Sequence, residues 1–221
     1  MFYFIKTPKW LMSWYSNCIW EMSNQDKVIY LTFDDGPHPE ATPFVLDTLK
    51  AYHAKATFFC IGKNVVEQPA IYQRIIAEGH AVGNHTFNHL NGWKTAYAIY
   101  LENIAKAQQY IDSSLFRPPY GKITPFQLKL WSKANFKLTP VMWTVLSGDF
   151  DGKRTKQSCL QNVLKSSGNG SIIVFHDSEK AFDKMNYTLP KMLEHFKQQG
   201  YRFEKIDSLN AGCNRTEGIC N

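Results

Sequence analysis

Eight residues in this sequence have the types and spacings that hydrolytic chemistry uses. Asp34 and Asp35 stand side by side in TFDDGP (32–37), and His85 and His89 are four apart in HTFNH (85–89). Arg117 and Tyr120 fall in RPPYG (117–121), Asp149 in SGDFD (147–151), and His176 in IIVFHD (172–177). Two imidazoles and one carboxylate make a three-ligand catalytic metal site with a position left open for water. Zinc suits those donors, and other divalent ions follow the same geometry. Such an ion lowers the pKa of a bound water from about 15.7 towards ~7. A second carboxylate could act as base on that water, and a neighbouring Arg would hold the base ionised. A His on the far side could protonate a leaving amine or alcohol. The set describes metal-assisted hydrolysis of an amide or an ester.

Taken one at a time, each pattern has a structural explanation. Asp-Asp-Gly-Pro makes a turn, because Asp bonds its own backbone while Gly and Pro redirect the chain. Two His at i and i+4 lie on one face of a helix, which suits a metal and equally an ordinary surface. Arg-Pro-Pro-Tyr is a stiff loop, Gly148-Asp149 another turn, and a His after an apolar strand can be a buried histidine with its bonds satisfied. What the explanations do not account for is their coincidence at one place in a fold.

That place follows from the elements. KVIYLTF (27–33) is rich in β-branched and aromatic residues and reads as a buried strand, as do ATFFCIG (56–62) and SIIVFHD (171–177). A short strand opens 80–89, LFRPPYG (115–121) is a strand running into a stiff loop, and KLTPVMWTV (137–145) and YRFEKI (201–206) are strand-like. Between them lie helices. Thr42 and Pro43 mark one start and Thr124 and Pro125 another, each an N-cap followed by a first-turn proline. Helical patterns cover 65–78 around Pro69 and closed by Gly79, then 96–111, 156–166, and 188–199 closed by Gly200. Strands alternating with helices imply parallel β/α units. The fold class is therefore α/β: about seven strands suit a closed or partly closed barrel, with an open sheet as the rival. In both, ligands bind beyond the carboxyl ends of the strands. Asp34-Asp35, His85/His89, Arg117/Tyr120, Asp149 and His176 all follow such ends.

Length and composition agree with a single catalytic domain. The 221 residues suit one domain of residues 26–208, an aromatic N-terminal segment 1–25 packed on it, and a tail 209–221. The net charge of +6 eases approach to anionic surfaces. The basic residues are scattered singly, so no nucleic-acid partner is expected. Five cysteines without a C-x-x-C pair point to a reducing compartment, with Cys60 and Cys159 as core thiols and Cys213 and Cys220 able to bridge in the tail. The N-terminal stretch is broken by Lys6, Pro8 and Lys9, too much for a signal peptide or a membrane span. It leaves room for weak attachment at a membrane surface. The expected location is cytoplasmic, including the inner membrane face.

Over residues 27–206 the five motifs, in their order and approximate spacing, resemble the polysaccharide deacetylases, carbohydrate esterase family four with its chitooligosaccharide-deacetylase homology domain. The resemblance implies a distorted (β/α) barrel and a divalent metal, usually zinc. It implies removal of N-acetyl, or O-acetyl, groups from an acetylated amino sugar or oligosaccharide. Asp34 maps to the catalytic base, and Asp35, His85 and His89 to the metal ligands. Arg117 maps to the support of the base, and Tyr120 to the backbone N–H at the oxyanion. His176 maps to the general acid and Asp149 to the residue that orients it. The fourth motif of the family usually reads D-x-x-D-W. Here Leu146 replaces its first acid and Phe150 its Trp, while Val174 stands where the fifth motif often has Leu. Two rivals follow from motifs that carry catalysis and not substrate: a hydrolase of a non-sugar amide or cyclic imide, and a non-catalytic sugar-binding relative.

Overall fold

The structure is a computed structural model that describes residues 3–23, 25–133 and 137–206. Cys213 and Cys220, and the tail that holds them, lie outside the described residues. The architecture is a parallel sheet curled into a half-barrel. Its strands are β1 (Val28–Asp34), β2 (Ala56–Cys60), β3 (Ala81–Asn84), β4 (Leu115–Phe116), β5 (Thr139–Pro140), β6 (Val145–Leu146) and β7 (Ile172–His176). They pair in parallel in the order β5-β4-β3-β2-β1-β7-β6, and a short β8 (Arg202–Phe203) pairs with the start of β1. The expected seven-stranded barrel is thus present, open between β5 and β6. The strand-like run 137–145 is two short strands, not one.

The N-terminal segment runs along that opening. Ile19 bridges to Val141, Lys6 to Val145 and Glu21 to Ser171. Unpaired strand edges are ready templates for further pairing, and the bridges at Val141 and Val145 occupy them. Cys18, Trp20 and Met22 are buried.

The central strand explains why a site forms at one end. All of β1 is buried, as expected of a parallel strand covered on both faces. Its odd residues Ile29, Leu31 and Phe33 pack into the outer core with Val45, Leu46 and Leu49 of α2 (Ala41–Ala51) and Met185, Leu189 and Met192 of α8 (Glu179–Gln198). The even residues face the other way, since side chains alternate along a strand. They change from apolar Val28 and Tyr30, within the inner cluster, to Thr32 and Asp34, which receive hydrogen bonds from Arg117. The barrel interior is hydrophobic at its base and polar at its carboxyl rim.

Several local expectations are met and others are corrected. Thr124 and Gln127 form a reciprocal cap at the start of α6 (Pro125–Lys133): Gln127 N–H donates to Thr124 Oγ1, and Thr124 N–H donates to Gln127 Oε1. Gly79 and Gly200, both at φ +80°, follow the helix ends that they were expected to close. Residues 65–78 do not form one helix. Pro69 has no N–H to give and starts a new one, so α3 (Gly62–Glu67) is followed by α4 (Pro69–Ala77). The helix expected over 188–199 begins at Glu179 and carries Pro190 inside it. Thr42 does not cap α2. It sits within the first turn, and its hydroxyl serves the site described next.

The remaining helices are α1 (Lys9–Trp14), α5 (Tyr97–Gln108) and α7 (Lys156–Ser166). Among the described residues no helix is long and apolar enough to cross a membrane. Cys18, Cys60 and Cys159 are free and buried.

Candidate metal and active site

All eight residues with hydrolytic chemistry converge on the carboxyl rim. Asp34 ends β1, and parallel pairing puts it level with His176, the last residue of β7. Equal register on adjacent strands sends both side chains to the same face of the sheet. Beyond Asp34 the chain turns sharply: Asp35 has φ +83°, a left-handed conformation that Asp tolerates better than most residues. The turn separates the two carboxylates.

Asp34 faces Arg117. The guanidinium, fully buried, donates from Nη1 to Asp34 Oδ1 at 2.7 Å and to Thr32 Oγ1 at 2.6 Å. Its Nε and Nη2 donate to the carbonyls of Val141 and Met142, and its plane lies 4.0 Å from the Phe59 ring. A buried cation held on four oxygens and an aromatic face fixes the carboxylate beside it.

Asp35 faces the two imidazoles. One ligand atom from each of Asp35, His85 and His89 lies within 4.8 Å of the others. His85 Nε2 is 3.7 Å and His89 Nε2 is 3.1 Å from Asp35 Oδ1, yet that oxygen is buried without a hydrogen-bonding partner. His85 Nδ1–H donates to the Arg117 carbonyl at 2.7 Å. The tautomer therefore leaves a lone pair on Nε2 facing Asp35, the arrangement found around protein-bound metals. Burial lowers the pKa of His85 to about 4, so its imidazole is neutral at pH 7. Burial pushes the Asp35 carboxyl up, but the imidazoles of His89, His176 and His85 together hold it below the ordinary carboxylate range. An orphaned carboxylate oxygen facing two imidazoles fits a divalent cation. Asp35, His85 and His89, the expected ligands, are thus brought together in a group that could hold a divalent metal. The helical face pictured for the His pair does not form: residues 85–90 are loop, with Thr86 at φ +64° and His89 at φ +57°. These turns, and not a helical repeat, bring the two rings to 5.0 Å.

His176 faces Asp149. Its Nδ1–H donates to Asp149 Oδ1 at 2.8 Å, and its backbone N–H to Asp149 Oδ2 at 2.8 Å. Burial pulls the imidazole pKa down, but the charge and hydrogen bond of Asp149, with Asp35 and Asp34 behind, raise it to about 9. His176 is a cation at neutral pH with Nε2–H free of Asp149. The Phe150 ring packs against it at 5.1 Å. Tyr120 lies at φ +61°, half exposed, with its ring 4.6 Å from that of His89.

Further supporting residues complete the rim. Asp177 is buried and accepts from Gly36 N–H at 3.0 Å and from the Thr42 hydroxyl at 2.5 Å. A Cβ on Gly36 would collide with that carboxylate, so only glycine allows the approach. Asn64 donates to the Asp35 carbonyl at 2.7 Å. Together they hold the turn that aims Asp35. Asp177 is visible beside His176 in IIVFHD, whereas nothing around Asn64 signals its use.

Fold and rim together define a class: a (β/α) half-barrel with a three-ligand site for a divalent metal, a second carboxylate beside a buried Arg, and a protonated His. The sequence pattern described as polysaccharide deacetylase matches residues 21–139, more than half of the chain. A peptidoglycan-N-acetylglucosamine deacetylase of Bacillus cereus is 34% identical over 195 residues, which cover 86% of this chain and 91% of that protein. A chitooligosaccharide deacetylase of Azorhizobium caulinodans is 38% identical over 156 residues, 67% of this chain and 73% of the other. Among solved structures, a peptidoglycan N-acetylglucosamine deacetylase bound to an N-oxidanyl-benzamide superposes with a TM-score of 0.81 at 33% identity, covering 90% of this chain and 95% of that one. This chain belongs to the polysaccharide deacetylase family. It is a hydrolase of carbon–nitrogen bonds other than peptide bonds and removes acetyl groups from carbohydrate.

Proposed function

We propose that the substrate is a glycan containing N-acetylglucosamine, and that the residues of the rim divide the hydrolysis of its acetamide as follows. Asp35, His85 and His89 hold the cation, with zinc first among candidates because two imidazoles and a carboxylate are its catalytic donor set. Bound there, a divalent ion supplies Lewis acidity to a carbonyl and makes water more acidic. Asp34, held in place by Arg117, takes the proton of the attacking water. The backbone N–H of Tyr120 donates to the oxyanion as it forms; one such donor is typically worth about 2.7–4 kcal/mol. His176, cationic and aligned by Asp149, gives its Nε2 proton to the departing amine, and acetate is released.

The observation that carries this reading is the separation of the two adjacent carboxylates, Asp34 onto Arg117 and Asp35 onto the imidazoles. The amino sugar is supported by the relatives, whose names specify peptidoglycan N-acetylglucosamine and chitooligosaccharide. Exposed rings on the same rim suit a sugar: Tyr120 beside His89, and Trp93 with Lys122 over its face at 3.8 Å. The test is acetate release from acetylated chitooligosaccharides, peptidoglycan fragments and acetylated xylan, with and without a chelator. Acetate and free amine are expected from the first two, abolished by chelation and restored by zinc. Tight glycan binding with no acetate from any metal-loaded sample would favour the sugar-binding rival.

The N-terminal segment supports a second contact. Phe4, Trp10 and Trp14 are exposed and stack edge-to-face at 6.3 and 5.9 Å. Residues 1–20 carry Lys6 and Lys9 and no acid. Exposed aromatic rings beside lysines suit the surface of an anionic bilayer. Vesicles containing phosphatidylglycerol should sediment the protein at low salt, and Trp14→Ser should weaken this. Equal sedimentation with neutral vesicles, or none with either, would refute the attachment.

A further inference from the structure

The N-terminal segment also reaches the reacting end of the molecule, outside the stretch that the family pattern matches. Thr7 N–H donates to the Thr144 carbonyl at 2.8 Å, and Leu146 N–H donates to the Ile5 carbonyl at 2.9 Å. Residues 5–7 thereby run antiparallel to β6, the strand that delivers Asp149 and Phe150. Two residues before this pairing, the Tyr3 ring packs on Phe150 at 5.0 Å, and Phe150 in turn packs on His176 at 5.1 Å. Tyr3 is itself tied down. Its hydroxyl donates to Asp151 Oδ2 at 2.7 Å and accepts from Arg154 Nε at 2.5 Å, and the Arg154 guanidinium lies 5.3 Å from the ring centre.

We propose that Tyr3 is a positioning residue for proton delivery: it braces Phe150 against the His176 imidazole. Asp149 fixes one nitrogen of that ring, but only one of its two hydrogen bonds reaches the ring, the other going to the backbone N–H, and one bond leaves the ring able to tilt about it. The Phe150 ring limits that rotation, and Phe150, only half-buried, needs a wall behind it. Tyr3 is that wall, anchored to the same 149–154 loop through Asp151 and Arg154. The inference rests on the proposed function, in which His176 is the acid.

The experiment compares two acetyl substrates of the metal-loaded full chain. An N-acetylated chitooligosaccharide has an amine that must be protonated to leave, whereas para-nitrophenyl acetate has a leaving group that departs as an anion. Small misplacements of a catalytic group cost one to two orders of magnitude, so Tyr3→Ala is expected to lower kcat on the amide about tenfold. KM, bound metal and the rate on the aryl ester should stay within about twofold of wild type. Tyr3→Phe, which keeps the ring, should recover most of the amide rate. Phe150→Ala, which removes the middle ring and leaves the N-terminal segment in place, should reproduce the selective loss, and it decides the matter if Tyr3→Ala is poorly folded. Parallel loss on both substrates, or wild-type amide turnover in both Ala variants, overturns the brace. His176→Ala is the control for the underlying reading. If it does not itself discriminate between amide and aryl ester, the acid assignment has failed, and the brace with it. If it does and the Tyr3 and Phe150 variants do not, only the brace has failed.

Discussion

Asp34→Asn is expected to lower turnover of an N-acetyl substrate by about 10²–10⁴-fold, the range that a positioned base contributes, while bound metal stays at the wild-type level. The two halves of that result depend on different contacts. The proton acceptor is lost because an amide oxygen is far less basic than a carboxylate. Metal retention follows because Asp34 points at Arg117 and not at His85 or His89. The substitution also leaves the buried Arg117 without its counter-charge, although Thr32 and the carbonyls of Val141 and Met142 still accept from it. Breaking a buried pair typically costs several kcal/mol, so a lower melting temperature should accompany the loss of rate. Metal content, kcat and thermal unfolding measured on one preparation separate these effects. A wild-type rate would show that Asp34 is not the base, and loss of metal would show that the two acids have been assigned the wrong way round.

Asp149→Asn is expected to be nearly as damaging on the amide, by about 10²–10³-fold, and to move the alkaline limb of the kcat/KM profile. In the proposed mechanism His176 acts as an acid, so activity is present below its pKa and falls as pH rises past it. That pKa is raised to about 9: burial opposes the raise, and Asp149 is its main source. A neutral amide in place of the carboxylate would supply neither charge nor a comparable hydrogen bond, and the limb should move towards the ordinary imidazole value of ~6.5. The comparison belongs to metal-loaded protein, where the ion offsets Asp35 and leaves Asp149 as the dominant partner. Stability has the same sign. A base whose folded pKa is raised contributes stability fully below its unfolded value of ~6.5, and this is lost as pH rises through about 9. The variant should therefore lose more melting temperature at about pH 6 than at about pH 10 relative to wild type. An unmoved alkaline limb would sink the assignment of His176 as the proton donor.

Much of this site is legible in the order of the amino acids. The run from Val28 to Asp34 announces a buried strand by its β-branched and aromatic residues, and the carboxylates at its end announce a polar rim. Such patterns are local: a period of two, a cap, or a Gly-Pro turn is complete within a few residues and needs no distant partner. For the same reason, the alternation of strands and helices suffices for parallel β/α units, though not to decide between a barrel and an open sheet. Local signals mislead where a distant contact takes over. Thr42 has the chemistry of a helix cap, but Asp177, 135 residues away, claims its hydroxyl. The spacing of His85 and His89 suggests a helix, but left-handed turns at Thr86 and His89 bring the rings together instead.

Which residues stand at the carboxyl rim, and what donors and acceptors they offer, is thus written in the chain itself. How those groups divide is set only when the barrel forms. Which of two adjacent carboxylates meets a cation depends on Arg117, 83 residues further on, and the turn that parts them depends on Asp177, 141 residues from Gly36. The same holds for the N-terminal segment, whose Tyr3 reaches Asp151 across 148 residues. Electrostatic and packing contacts act through space, and the distances that set them exist only once the strand ends have been brought together.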